Sequence, residues 1–332
     1  MRGATSMTRP KVFVTRLIPE AGLGVIMAET EADVWQEQLP PLPEALLQHV
    51  RGKDGLLSLL TDRVDAEVMD AAPGLRVISN YAVGFDNIDL PAATEFGIPV
   101  GHTPDVLTET TAEMAWALLM AAARRVVEGD RYTRAGKWKT WEPQLLLGRD
   151  LRGSTLGIVG FGRTGQRMAR QARGFDMRVL YYDVFPNDEA AAQLGAAYAE
   201  FDDLLQQADF VSLHTALTDD TRHLIGEREL KLMGPETILV NTSRGCVIDE
   251  AALAVALREG WILGAGLDVT EVEPIQPDSP LLGLSNVVLC PHIASASLRT
   301  RSKMATMAAA NLLAGLRGER LPHCANPEVY ER

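Results

Sequence analysis

Residues 154–183 constrain this chain more than any other stretch. The apolar run LGIV passes into the turn Gly160-Phe161-Gly162-Arg163-Thr164-Gly165, the helical segment QRMARQAR follows, and a second apolar run, RVLYY, ends on Asp183. A glycine-spaced turn joining a strand to a helix, with another strand one helix later, builds when the two strands are parallel and the helix crosses over between them. The rhythm continues on both sides. Residues 210–213, 238–241, 262–265 and 287–289 are short runs without polar alternation, separated by helical stretches, as expected of strands buried on both faces of a parallel sheet. In the first hundred residues, strand-like runs at 11–15, 32–35, 55–59 and 75–79 alternate with helical segments at 19–29, from a proline-rich turn (Pro40, Pro41, Pro43) to Val50, and at 66–72. Residues 105–136 read as one long helix, apolar around most of its circumference and so packed between layers, and residues 298–316 as another. The fold class is α/β with doubly wound parallel sheets, and 332 residues suffice for two domains.

Each glycine of the turn has its own task. The first permits the tight bend, the second lets backbone approach a pyrophosphate, and the third lets helix and strand pack closely, while the helix N-terminus offers amide donors to the phosphates. Gly160, Gly162, Arg163, Thr164 and Gly165 are therefore assigned to a dinucleotide. Asp183 stands 23 residues beyond Gly160; a carboxylate there can accept from both ribose hydroxyls of NAD and repels the 2′-phosphate of NADP, so the cofactor is read as NAD(H). His214 ends a strand on the cofactor side and is expected to shape that pocket without doing chemistry.

Three more segments end strands of the same sheet: NTSRGCVIDE from Asn241, GLDVTEVEP from Gly266 and CPHIAS from Cys290. Ligands of an open α/β sheet bind at the carboxyl ends of its strands, so residues far apart in sequence can converge there. Arg244 offers a bidentate fork suited to a carboxylate. His292 can give or take a proton near neutral pH, and a Glu273 carboxylate beside it favours the protonated form. Glu271, two residues away, competes with Glu273 for that assignment. Cys290 lies two residues from His292 without an orienting third group, so packing is the better reading for it, and no His or Cys spacing suggests zinc.

Composition narrows the partners. With 46% apolar and 23% charged residues and a net charge of −12, the chain is globular and a poor ligand for nucleic acid or anionic membrane. Residues 112–123, the most apolar run, are too short for the roughly twenty residues that span a bilayer. Cys246, Cys290 and Cys324 are too few and odd in number for a disulfide framework, and no apolar leader precedes Pro10, which together point to the cytoplasm. Residues 1–6, ahead of Met7, read as an alternative start or a remnant.

In order and spacing, GFGRTG, the SRG segment, DVTEVEP and PHIAS resemble the D-isomer-specific 2-hydroxyacid dehydrogenases over nearly the whole chain. The resemblance implies two Rossmann-like domains with the active-site cleft between them. Residues 105–292 would form the NAD-binding domain, inserted into a discontinuous, flavodoxin-like substrate-binding domain of residues 1–104 and 293–332. It also implies hydride transfer between nicotinamide and a 2-oxo acid, with Arg244 on the substrate, His292 as proton donor and cofactor neighbour, and Glu273 as its partner. Asp268 would contact the nicotinamide carboxamide, and Thr108, Thr242 and Ser243 would be further cofactor contacts.

In this family the amides around Ala82, Val83 and Gly84 cradle the substrate carboxylate. The segment NYAVGFDNID, with Asn80 where phosphoglycerate relatives carry Arg, is similar to the glyoxylate and hydroxypyruvate reductase branch; His102 and Ala294 depart from the commoner Asn and Gly. Trp138 and Trp141 lie either in a tether for the long helix or in the arm that pairs two NAD-binding domains into a homodimer, as in related reductases. Two alternatives stand beside a glyoxylate reductase: a D-lactate-type or hydroxyphenylpyruvate-type dehydrogenase, and an NAD-sensing interaction protein like the corepressor branch.

Overall fold

The computed structural model describes residues 9–331, so the reading of residues 1–6 lies outside it. The chain divides into two compact units, one reaching to Leu107 and resuming at Ala296, the other comprising Thr108–Ser295.

The first unit holds strands β1 (Lys11–Val14), β2 (Glu31–Val34), β3 (Gly55–Ser58), β4 (Val77–Asn80) and β5 (Val100–Gly101), all parallel in the order β2-β1-β3-β4-β5. This is the flavodoxin-like winding. Alternate strand residues face opposite ways. Val12, Val14, Leu57 and Val77 pack under α1 (Glu20–Glu29) and the C-terminal helix (Leu298–Leu316). Phe13, Leu56, Ile78 and Val100 pack under α2 (Pro43–Val50), α3 (Ala66–Asp70) and α4 (Leu90–Glu95).

The second unit holds β6 (Thr155–Val159), β7 (Arg178–Tyr182), β8 (Ala196–Tyr198), β9 (Phe210–Leu213), β10 (Ile238–Asn241), β11 (Gly264–Leu267) and β12 (Val287–Leu289). Its order is β12-β11-β10-β9-β6-β7-β8, parallel throughout. Helices α5 (Thr108–Ala123), α7 (Arg163–Ala172) and α8 (Asp188–Leu194) cover one face, and α9 (Phe201–Gln207), α10 (Glu227–Met233) and α11 (Glu250–Glu259) the other. Winding reverses between β6 and β9, which places the switch-point crevice at their carboxyl ends. Both sheets are parallel and buried on two sides, as a doubly wound α/β protein requires.

The expected single helix over 105–136 is two helices. After α5 the backbone turns left-handed at Arg125 (φ 52°), and α6 (Val126–Arg134) starts anew. The Ala123 carbonyl, which an unbroken helix would give to residue 127, instead accepts from the Arg149 amide at 2.8 Å. The Arg125 guanidinium grips Glu128 through two bonds of 2.8 Å in the first turn of α6. The loop after α6 does not tether the helix through its tryptophans, because Trp138 is 61% and Trp141 80% exposed. Among the described residues no helix is long and apolar enough to cross a membrane.

Candidate active site

The glycine turn sits at the switch point. Gly160 has φ 92°, and a Cβ on it would come within 2.7–2.8 Å of the His214–Thr215 backbone, so both conformation and space exclude a side chain. A Cβ on Gly165 would lie 2.2 Å from the Gly160 carbonyl oxygen, which is why helix and strand can pack so closely. Gly162 differs, with nothing within 4 Å of its virtual Cβ. It is also the N-cap of α7, and no side chain caps that helix, so the first amides of α7 meet an open space where a pyrophosphate fits. Asp183, at the end of β7, is half-buried; its carboxylate accepts from the Phe161 amide at 2.7 Å and the Phe185 amide at 3.0 Å. The acid thus fixes the turn from the end of β7. His214 Nε2 lies 2.8 Å from Ser212 Oγ, and burial pushes its pKa down to about 4, leaving a neutral ring beside the turn. Thr242 Oγ1 is buried with no partner among the described residues, a polar atom left for a ligand. Thr108 is the first residue of α5, and its neighbour Glu109 pairs with Arg167 of α7. These residues fit a dinucleotide.

Three strand ends carry the expected chemical groups. After β10, Asn241 organises the turn: its Oδ1 accepts from the Ser243 amide (2.9 Å) and hydroxyl (2.8 Å), and its Nδ2 donates to the Arg244 carbonyl (2.9 Å). Arg244 Nη1 donates to the Ser243 carbonyl at 3.0 Å. After β12, His292 adopts φ 53°, left-handed for a non-glycine residue, and is held there by Asp268. The Asp268 carbonyl accepts from the His292 amide (2.8 Å), and its carboxylate accepts from the amides of Ile293 (2.8 Å) and Ala294 (2.7 Å). The family resemblance implies that Asp268 contacts the nicotinamide carboxamide; here its two oxygens hold the histidine loop, at 1% exposure. Burial raises its pKa against the pull of those amides.

His292 Nδ1 lies 2.7 Å from Glu273 Oε2, and Glu273 Oε1 accepts from the Thr270 amide at 3.2 Å. With Nδ1 committed to the carboxylate, Nε2 is the ring nitrogen left for a substrate. Glu271 is otherwise engaged: its Oε1 lies 2.7 Å from His223 Nε2, and its amide donates to Glu250 Oε2 at 2.9 Å. Sequence reading missed this second His–Glu pair, as it missed Asn241, although an Asn ending a strand before Ser-Arg-Gly is an Asx-turn signal. Cys290 packs against the α5 side of the core, and burial raises its thiol pKa, in keeping with a packing role. Among the described residues no cluster of His, Cys, Asp or Glu is placed to hold a metal ion.

The residues expected at the substrate carboxylate belong to the first unit. Ala82, Val83 and Gly84 follow β4 in a turn whose consecutive carbonyls are each held: Ala82 by the Thr103 amide (2.8 Å), Val83 by His102 Nδ1 (2.9 Å) and Gly84 by Asn80 Nδ2 (3.0 Å).

Residues 116–294 match the family described as D-isomer specific 2-hydroxyacid dehydrogenase, NAD binding domain. A glyoxylate reductase from Korarchaeum cryptofilum is 57% identical over 324 residues, 97% of this chain and 98% of that protein. The TT0316 protein of Thermus thermophilus superposes with a TM-score of 0.89 at 48% identity, covering 95% of this chain and 99% of that one. An NADPH-dependent glyoxylate/hydroxypyruvate reductase from Sinorhizobium meliloti, solved with NADP and malonate, superposes with a TM-score of 0.84 at 31% identity, covering 96% and 98%.

Proposed function

Since the chain belongs to the D-isomer-specific 2-hydroxyacid dehydrogenase family, we propose that it reduces a small 2-oxo acid to the 2-hydroxy acid with NADH, acting on glyoxylate with hydroxypyruvate as companion substrate. The observation that carries this reading is the 2.7 Å contact between His292 Nδ1 and Glu273, beyond the carboxyl ends of the same parallel sheet that carries the glycine turn. The names of the relatives support the substrate.

Bound NADH supplies the hydride that the carbonyl carbon receives. His292, oriented by Glu273, gives its Nε2 proton to the carbonyl oxygen, so the carbonyl gains two electrons and two hydrogens and becomes an alcohol. Arg244 and the amides of Ala82, Val83 and Gly84 hold the substrate carboxylate. The cofactor contacts are Gly160, Gly162, Arg163, Thr164 and Gly165 at the pyrophosphate and Asp183 at the ribose. Thr108, His214, Thr242, Ser243, Asp268 and His292 complete them. In this reading residues 105–292 serve the cofactor, and residues 1–104 with 293–332 serve the substrate. The exposed Trp138 and Trp141 support a homodimer paired through the NAD-binding domain. Three free cysteines support a reducing, cytoplasmic setting.

The test is NADH oxidation across glyoxylate, hydroxypyruvate, pyruvate and phenylpyruvate. Glyoxylate and hydroxypyruvate are expected to give the highest kcat/KM. A preference for pyruvate or phenylpyruvate overturns the substrate assignment, and turnover of none overturns the enzymatic reading.

A further inference from the structure

We propose that His102 is a positioning residue for the substrate-carboxylate turn, its imidazole fixing the Val83 carbonyl so that the Gly84 amide is aimed at the substrate. This rests on the 2-oxo acid reading above and adds to it a residue that contacts neither substrate nor cofactor.

In a trans peptide, C=O and the following N–H point in opposite directions. Holding the carbonyls of Ala82, Val83 and Gly84 therefore sets the directions of the Val83, Gly84 and Phe85 amides. Two of the three anchors come from residues whose places the sheet dictates. Asn80 ends β4, fully buried, and shares its side chain with Ser58 (3.1 Å) and Asn87 (3.0 Å). Thr103 follows β5 and uses its backbone amide. The third anchor, on the middle carbonyl, is a side chain. A carbonyl oxygen only accepts, so His102 carries its proton on Nδ1 to donate across the 2.9 Å. The amides of Val83 and Gly84 donate to no acceptor found among the described residues, and they point away from Thr103 and His102, which hold the carbonyls of the same peptide planes.

The imidazole swings from a fixed post. The His102 amide donates to the His323 carbonyl at 3.1 Å, and its carbonyl accepts from Asn311 Nδ2 at 2.8 Å. Asn311, fully buried in the C-terminal helix, closes the loop by accepting from the His323 amide at 3.0 Å. The ring edge meets Phe85 at 5.4 Å between centroids, so the turn is gripped at a carbonyl and at the residue just beyond it. With the backbone of residue 102 pinned by core elements, the length and chemistry of its side chain decide where the Val83–Gly84 peptide plane lies.

Three variants read this out with glyoxylate under saturating NADH. His102→Leu keeps apolar bulk against Phe85 and removes the donor. It is expected to raise KM for glyoxylate about tenfold, the worth of one oriented hydrogen bond, with kcat within about threefold and the NADH KM unchanged. His102→Asn places an amide donor where Nδ1 stood and is expected to restore the wild-type KM. His102→Asp has the same size as the Asn variant but presents acceptors to an acceptor, and is expected to raise KM at least as much as Leu. An unchanged glyoxylate KM in the Leu variant overturns the proposal, as does an Asn variant that fails as Leu does. Should the Leu variant lose its cooperative thermal transition, the Asn and Asp pair carries the test, and equal KM values for the two overturn it. A wild-type protein that reduces no 2-oxo acid overturns the functional reading instead, which separates the two failures.

Discussion

In the proposed reading Asp183 does two jobs, and replacing it with Ser separates them. The carboxylate accepts from the Phe161 amide inside the glycine turn and from the Phe185 amide beyond β7, so removing it loosens the pyrophosphate site for any dinucleotide. That loss raises KM for NADH and NADPH alike and cancels in the ratio of their kcat/KM values. What remains in the ratio is the direct encounter with the ribose. A 2′-phosphate carries a charge of about −1.5 to −2. At about 5 Å from a half-buried carboxylate, with an effective dielectric of about 40–80, the repulsion is roughly 1–3 kcal/mol. NADH loses in addition a charge-assisted hydrogen bond to its ribose hydroxyls, worth about 1.5–3 kcal/mol. Together, at about 1.4 kcal/mol per factor of ten, these should move the ratio of the NADH and NADPH kcat/KM values by about 10²–10⁴ toward NADPH in Asp183→Ser. Initial rates with saturating glyoxylate and each cofactor varied give the ratio directly. Repeating them at high salt should shrink only the repulsive part. A ratio that moves less than about threefold refutes the assignment of discrimination to Asp183.

Replacing His292 with Ala should lower kcat by about 10²–10⁴ while NADH binding, followed by fluorescence titration, persists; wild-type turnover would remove it from the proton-donor role. Gly165→Ala should cost about 2–4 kcal/mol of stability and weaken NADH binding, because its Cβ would sit 2.2 Å from the Gly160 carbonyl; an unchanged Tm and affinity would contradict that contact. His214 takes a proton in the unfolded chain below its ordinary 6.5 but, folded, only near 4. The unfolded state therefore binds more protons across that window, and stability should fall by about 1–3 kcal/mol as pH drops from 6.5 to 4. Denaturant midpoints of wild type and His214→Asn should diverge across the same window, and parallel pH curves would count against it. Light scattering at micromolar concentration should report a dimer for the wild type and a smaller species for Trp141→Lys; a wild-type monomer would end the arm reading.

The regular part of the molecule was legible because its signals are local. Residues 156–159 and 210–213 are apolar without alternation, and in the structure consecutive residues such as Phe210 and Val211 do fall in cores on opposite faces of one sheet. The glycine turn was legible for the same reason, since Gly160 and Gly165 answer to contacts made within a few residues or with the adjoining strand, and Gly162 is the N-cap of α7. The helix break at Arg125 was not legible. The sequence there stays compatible with helix, and the break is decided by Arg149 arriving to take the Ala123 carbonyl, a contact that no window on residues 105–136 contains.

Side-chain pairing at the strand ends sits between these cases. Glu271 and Glu273 are chemically alike and two residues apart, and His223 and His292 both lie in loops after strands, so spacing alone permits either pairing. The structure resolves it through backbone anchors that spacing does not encode. His223 is held left-handed with its amide on the Cys246 carbonyl (2.8 Å), which delivers its ring to Glu271, while Asp268 holds His292 left-handed from the other side, which delivers it to Glu273. Which histidine meets which glutamate in this sheet is thus fixed by the residues that hold the loop backbone. Asp268 and Asn241 therefore belong to the candidate site as holders of its backbone, a part that neither residue's own chemistry announces in the sequence.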